Sequence, residues 1–128
     1  MRERGLGLYL GSEVGFWIER NPDTVRGPDG AFLSAARLRT IGSPIGYVEG
    51  PPDLAVEVVS PHDRPGAVRE KARMWVECGA RMAVVLDPET ATAIVRTAAV
   101  EQVLPASATL EFGDLIPGLS IALAPLFP

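Results

Sequence analysis

The chain has 128 residues, 47% of them hydrophobic and 22% charged, which is typical of a globular protein with one core and predicts a single domain over residues 1–128. No apolar run approaches the roughly 20 residues of a membrane span, no secretion signal is expected, and the single cysteine, Cys78, favours a cytoplasmic protein without disulfides. The formal net charge of −4 argues against binding nucleic acid by bulk charge, although it permits a local phosphate site.

Short extended segments are predicted to dominate the first half of the chain. Residues 7–19 are expected to be extended, with a bend near 11–15, and residues 21–30 are rich in turn formers. Residues 30–38 resume an extended run that ends in a helical turn. The glycine- and proline-rich residues 42–52 are predicted to form a loop bordering a site.

The second half contains the clearest periodic patterns. Residues 53–60 predict a strand, and residues 67–78 predict a helix that ends at Gly79. Residues 81–87 predict another buried strand, and a turn then leads into residues 91–97 to give a hairpin.

The C-terminal region is predicted to add small elements to this core. Residues 101–114 resemble short edge strands, and residues 115–127 form an apolar segment of one or two helical turns. The order of elements indicates an α+β fold, with a mixed β-sheet, a helix packed on it and C-terminal β-hairpin elements.

Lys71 is the one lysine in a chain with eleven arginines. At 100° per residue it falls in the apolar half of the predicted helix, close to Trp75. An ammonium group aimed at a sheet needs a partner or must extend to water. A functional ammonium and a lysine stem lying along the edge of the core are both compatible with this pattern.

Glu57 lies in the middle of the predicted strand at residues 53–60. A carboxylate buried in a strand usually has a partner, and Lys71 on the following helix is the natural candidate. Taken alone, the pair is equally compatible with a structural salt bridge.

Asp29 offers a second carboxylate if the extended run that follows it pairs with the Glu57 strand. Opposed residues on paired strands have Cβ atoms about 5 Å apart, close enough to share one ion. Asp53 is a poorer candidate, because it lies about 13 Å from Glu57 along the same strand. Two carboxylates with one lysine suit metal-assisted hydrolysis of a phosphodiester.

The stretch "PDLAVEVVSPHDRPGAVREKARMWVECGARMAVVLDPET" resembles the central block of the Uma-two family of restriction-endonuclease-like proteins, which is placed in the PD-(D/E)XK nuclease superfamily. The resemblance extends to "GSEVGFWIERNPDTVRGPDGAFLS" upstream and "GDLIPGLSIALAPLFP" downstream, and so covers nearly the whole chain. It implies a nuclease that hydrolyses DNA with Mg²⁺ or Mn²⁺ and that often acts as a homodimer.

The resemblance also implies roles for individual residues. Asp29 and Glu57 correspond to the acidic metal ligands, and the carbonyl of Val58 to a further ligand. Val59 occupies the usual position of the lysine, so the standard motif is interrupted. Lys71 then corresponds to a catalytic lysine that has moved to the following helix, in agreement with the helical pattern.

Two departures from the family qualify this interpretation. The N-terminal helical region of the family is expected to be shortened here, and Glu13 is an additional candidate metal ligand. Two alternative functions stay open: an inactive interaction or DNA-binding module with a nuclease fold, and a hydrolase of another phosphoester.

Several other residues offer a structural interpretation beside a functional one. His62 is a turn histidine that offers a general base but is expected to be solvated, and Asp63 is expected to cap the helix or its preceding turn. Three aromatic residues are interpreted as packing residues: Trp17, Trp75 and Phe112. Three arginines are predicted either to contact phosphate or to form a solvated helix face: Arg64, Arg69 and Arg73.

Overall fold

The computed structural model describes residues 7–10, 15–19, 24–41, 48–64 and 66–127. In chain order, its elements are β1 (Gly7–Leu10), β2 (Phe16–Glu19), β3 (Thr24–Arg26), β4 (Gly30–Ser34), α1 (Ala35–Ile41), β5 (Val48–Glu49), β6 (Leu54–Val58), α2 (Ala67–Glu77), β7 (Met82–Asp87), β8 (Thr92–Arg96), β9 (Glu101–Pro105), β10 (Thr109–Glu111), β11 (Ser120–Ala122) and a 3-10 helix (Ala124–Leu126).

A six-stranded mixed sheet forms the centre of the fold, in the order β1-β4-β6-β7-β8-β9. The strands β6 and β7 pair in parallel, whereas the other neighbours in this sheet are antiparallel. A parallel pair needs a crossover connection, and α2 provides it. Two smaller sheets flank the main one: β3-β2-β5 and the β10-β11 hairpin.

Both faces of the main sheet are covered by apolar side chains. The helix α2 buries Val68, Ala72 and Trp75, which share one face at helical spacing, against one side of the sheet. The alternation of side chains along β6 sends Ala55 to this core and Leu54 to a second core on the other side. The second core is completed by the C-terminal segment, including Phe112 and Ile116, whose burial agrees with the packing role predicted for Phe112.

The α+β class, the mixed sheet and the helix on one of its faces are confirmed. The turn-rich residues 21–30 contain the strand β3, and the predicted loop 42–52 contains β5. The C-terminal segment forms β11 as well as a short 3-10 helix, so the prediction of helical turns alone was wrong. These strands are two or three residues long, too short to show a period in the sequence.

The ends of the two central elements differ slightly from their predicted positions. The strand β6 ends at Val58, whose side chain is 42% exposed, so this end of the strand is not buried on both faces. The helix α2 ends as predicted near Gly79, which has a φ of +118°, a value that few residues other than glycine adopt. Among the described residues, no helix is long and apolar enough to cross a membrane.

Candidate active site

The pairing of β4 with β6 brings Asp29 to Glu57. The register aligns Gly30 with Val56 in antiparallel pairing, so the next position outward places Asp29 opposite Glu57. The Oδ2 atom of Asp29 accepts a hydrogen bond of 2.7 Å from the backbone N–H of Val58. The carboxylate of Asp29 is thus fixed to the very end of the strand that carries Glu57.

Glu57 is one of the most buried side chains of the described part of the protein, with 2% exposure. It projects from β6 towards α2, where Nε1 of Trp75 donates a hydrogen bond of 2.8 Å to Oε2. The Nζ atom of Lys71 lies 3.8 Å from the other carboxylate oxygen, Oε1. Each oxygen of Glu57 therefore has a partner from α2.

The pKa of Glu57 is raised above its usual range, chiefly because burial disfavours the charged form. The hydrogen bond from Trp75 and the positive charge of Lys71 both lower the pKa and offset part of this effect. The negative charge of Asp29 raises the pKa further. This repulsion follows from the register of β4 and β6, which sets Asp29 opposite Glu57.

Lys71 reaches Glu57 from the edge of α2 and not from its buried centre. Its side chain is 49% exposed, and the distance of 3.8 Å is longer than a hydrogen bond. The predicted contact between Lys71 and Glu57 is present as an ion pair, made by a lysine side chain that is half exposed. The catalytic role of Lys71 stays a prediction.

The oxygen ligands around Asp29 and Glu57 are of the type that a hard divalent cation prefers, but they are few. Carboxylate and carbonyl oxygens are the ligands that Mg²⁺ and Mn²⁺ prefer. Within the described ranges, no group of three or more histidine, cysteine, aspartate or glutamate side chains is close enough to hold a metal ion. A cation here would therefore need further oxygen ligands, such as the carbonyl of Val58, water or substrate phosphate. The role of Val58 stays a prediction.

Glu13, the additional candidate ligand, lies outside the described residues. Asp53 is buried, and its Oδ2 accepts a hydrogen bond of 2.7 Å from the backbone N–H of Ser34, which is a structural role. Asp63 holds the turn before α2, as predicted, because its Oδ2 accepts a hydrogen bond from the N–H of Ser60. His62 is exposed in the same turn.

Trp75 has a role at the site that sequence reasoning missed. It was interpreted as a packing residue, and its ring does pack edge-on against Phe16, with centroids 6.0 Å apart. Its indole N–H also orients Glu57. The signal that could have revealed this is its position four residues after Lys71, which makes the two side chains neighbours on the helix surface. The side chain of Trp17 lies outside the described residues.

The model of the Uma-two family, described as "Putative restriction endonuclease", matches residues 1–124. The chain belongs to this family. The mixed sheet with α2 packed on it is therefore the fold of an Uma-two chain. No curated protein sequence matches the chain.

Solved structures with a similar fold include the crystal structure of "a putative nuclease belonging to DUF820" from Anabaena variabilis ATCC 29413. The TM-score is 0.79 at 18% sequence identity, and the similarity covers 97% of this chain and 69% of that one. At this identity the likeness establishes the fold alone.

Proposed function

We propose that the protein is a metal-dependent DNA endonuclease of the PD-(D/E)XK type, which hydrolyses phosphodiester bonds with Mg²⁺ or Mn²⁺. The observation that carries the proposal is the convergence of Asp29, Glu57 and Lys71 at one end of β6. Membership of a restriction-endonuclease-like family supports DNA as the substrate.

The two carboxylates are suited to holding one cation between them. Asp29 uses Oδ2 to bind the N–H of Val58, so Oδ1 is the oxygen that can face an ion. Glu57 is oriented through Oε2 by Trp75, which leaves Oε1 on the side of Lys71. When bound, a divalent cation supplies positive charge that makes water a better nucleophile and polarises the phosphate.

In addition to the charge of the cation, Lys71 supplies a positive charge from the protein itself. Its side chain is half exposed, so its ammonium can meet a phosphate at the surface. Contact with a phosphate oxygen would stabilise the negative charge that builds up during hydrolysis. The lysine therefore acts by binding and charge stabilisation.

Titration of Mn²⁺ into the purified protein by calorimetry tests the metal site without any need to know the DNA sequence that is cut. We expect binding by the wild type and its loss in Asp29→Asn and Glu57→Gln. Glu77→Gln and Asp114→Asn make the same chemical changes at exposed positions outside the site and should bind like the wild type. Absence of carboxylate-dependent binding at millimolar Mn²⁺ would contradict the proposed metal site.

A non-catalytic module with the same fold is the second candidate, and one observation favours it. Glu57 has two partners, Trp75 and Lys71, which satisfy a buried carboxylate without any ion. This alternative predicts that Glu57→Gln destabilises the protein while the wild type itself binds no Mn²⁺. A hydrolase of another phosphoester is distinguished from a DNase by comparing RNA, DNA and nucleotide substrates with the same preparation.

A homodimer is part of the proposal, because a duplex has two strands and each chain offers one candidate site. Sedimentation of the protein with and without duplex DNA tests this, and a monomer under both conditions contradicts it. We also infer a cytoplasmic location, which the single cysteine, Cys78, supports.

A further inference from the structure

Three arginines surround one carboxylate beside α2. Nη1 of Arg96 lies 2.8 Å from Oε1 of Glu101, while the Nε atoms of Arg69 and Arg73 each lie 3.9 Å from a Glu101 oxygen. We refer to these four residues as the arginine cluster. Its three guanidinium groups and one carboxylate leave an excess of two positive charges in a chain whose net charge is −4.

The donors of the arginine cluster are only partly used. Arg96 makes a true hydrogen bond to Glu101, whereas 3.9 Å is too long for one from Arg69 or Arg73. The Nε atoms of Arg69 and Arg96 are buried and find no hydrogen-bond acceptor among the described residues. Each guanidinium carries five N–H donors, and the side chains of Arg69 and Arg73 are 39% and 42% exposed, so their outward donors can bind further anionic oxygens.

The arginine cluster and Lys71 lie on opposite edges of the same helix. Lys71 contacts Glu57 on β6, whereas Arg69 and Arg73 contact Glu101 on β9, with β7 and β8 between these strands. Neighbouring strands lie about 4.8 Å apart, so the three strand spacings from β6 to β9 separate the two contacts by about 14 Å. Phosphates of one DNA strand are spaced about 3.4 Å along the duplex axis, so this distance corresponds to about four phosphates.

We propose that Arg69 and Arg73 bind the sugar–phosphate backbone of DNA about four phosphates from the bond that reacts at Glu57 and Lys71. The inference rests on the proposed function and adds a second contact for the same substrate. Guanidinium groups match phosphate oxygens in geometry, and such contacts position a strand without reading its sequence. In the absence of DNA, Glu101 holds the two arginines in place.

Binding of a fluorescent duplex, measured by anisotropy in EDTA over a range of salt concentrations, tests the inference separately from cleavage. Each phosphate contact contributes about 0.9 to the slope of log affinity against log salt, so Arg69→Gln/Arg73→Gln should reduce the slope by about 2. The single variant Arg73→Gln should reduce it by about 1. Arg81→Gln removes the same charge from an exposed arginine outside the cluster and should leave the slope unchanged.

Glu101→Gln tests the inference in the opposite direction. It removes the carboxylate that competes with phosphate, so we expect tighter binding at low salt, provided that circular dichroism shows a folded protein. If the arginines only stabilise β9, Glu101→Gln would bind no more tightly, and the arginine variants would match Arg81→Gln. Either result, or no binding by the wild type at about 50 mM salt, overturns the inference.

Cleavage in Mn²⁺ is measured on the same proteins. Changed salt slopes without carboxylate-dependent Mn²⁺ binding would contradict the proposed metal site and leave the phosphate contact standing. Cleavage with unchanged slopes would contradict the contact alone.

Discussion

Nε1 of Trp75 donates a hydrogen bond of 2.8 Å to Oε2 of Glu57, and this bond links the core of the protein directly to the candidate active site. The ring of Trp75 is fully buried against Phe16, so its position is fixed by packing. Glu57 is thereby held in one orientation, with its other oxygen facing Lys71. The stability of this core and the chemistry of the site are coupled through one indole N–H.

Trp75→Phe is expected to lower the free energy of unfolding by about 2–4 kcal/mol, because it removes both ring volume and a hydrogen bond to a charged group. It should also raise the pKa of Glu57, since the lost bond lowers that pKa. Urea denaturation and NMR titration of the carboxyl carbon measure the two effects. Phe16→Leu disturbs the same packing but keeps the hydrogen bond from Trp75 to Glu57. It should therefore destabilise the protein and raise the pKa of Glu57 less than Trp75→Phe does. Equal pKa changes in both variants would count against a specific role for the indole N–H.

Glu57→Gln is expected to change how stability depends on pH. Burial raises the pKa of Glu57 in the folded state above about 4.3, the value in an unfolded chain, so folding favours the protonated form. The contribution of Glu57 to the free energy of unfolding therefore falls as the pH rises from about 4.3 through the folded-state pKa. Glu57→Gln, which cannot ionise, lacks this fall.

The comparison is made by urea denaturation in metal-free buffer from about pH 4 to about pH 8, with Glu77→Gln as the matched control. The pKa of Glu101 is lowered, mainly by its hydrogen bond from Arg96. Glu101 is present in all three proteins, so its contribution to the pH dependence cancels when their free energies of unfolding are compared. A difference between wild type and Glu57→Gln that stays constant with pH would refute the raised pKa.

Asp29→Asn is expected to lower the pKa of Glu57, because it removes the negative charge that repels the Glu57 carboxylate. The asparagine oxygen can still accept the hydrogen bond from Val58, so the fold should survive. Asp29→Ala removes the acceptor as well and should cost about 1 kcal/mol more in stability. NMR titration of Glu57 in the two variants gives the pKa directly, and an unchanged value would mean that the two carboxylates do not interact.

Lys71→Gln is expected to change the free energy of unfolding by about 1 kcal/mol or less, because the ion pair with Glu57 is half exposed. The pKa of Glu57 should rise, since the charge of Lys71 lowers it. If Lys71 contacts the reacting phosphate, DNA cleavage should fall by about 10²-fold or more. Lys71→Arg keeps the positive charge and should retain the pKa. A folded Lys71→Gln variant with full cleavage activity would exclude Lys71 from catalysis.

The sequence predicted those parts of the site that depend on local periodicity. The alternation along residues 53–60 assigned Glu57 to a buried face, and the helical pattern brought Lys71 towards it. The pairing of Asp29 with the same strand was also anticipated, and the register of β4 against β6 agrees with it. These relationships need only one helix, two adjacent strands and their spacing.

The parts that sequence reasoning missed depend on tertiary structure or on very short elements. The contact of Arg69 and Arg73 with Glu101 requires the position of β9 across two intervening strands, which no local pattern contains. The strands β3 and β5 are too short to show alternation and form because β2 lies between them. The indole of Trp75 has an apolar ring and a polar N–H, and composition alone does not show whether packing or hydrogen bonding determines its role.

The hydrogen bond between Trp75 and Glu57 also gives the protein an intrinsic optical probe. Indole emission responds to nearby charge, so a change in the ionisation of Glu57, or an ion bound beside it, should alter the fluorescence of Trp75. The chain has two tryptophans, Trp17 and Trp75, so a Trp17→Phe background isolates the signal of Trp75. Events at the carboxylate can then be followed on the stopped-flow timescale without any attached label.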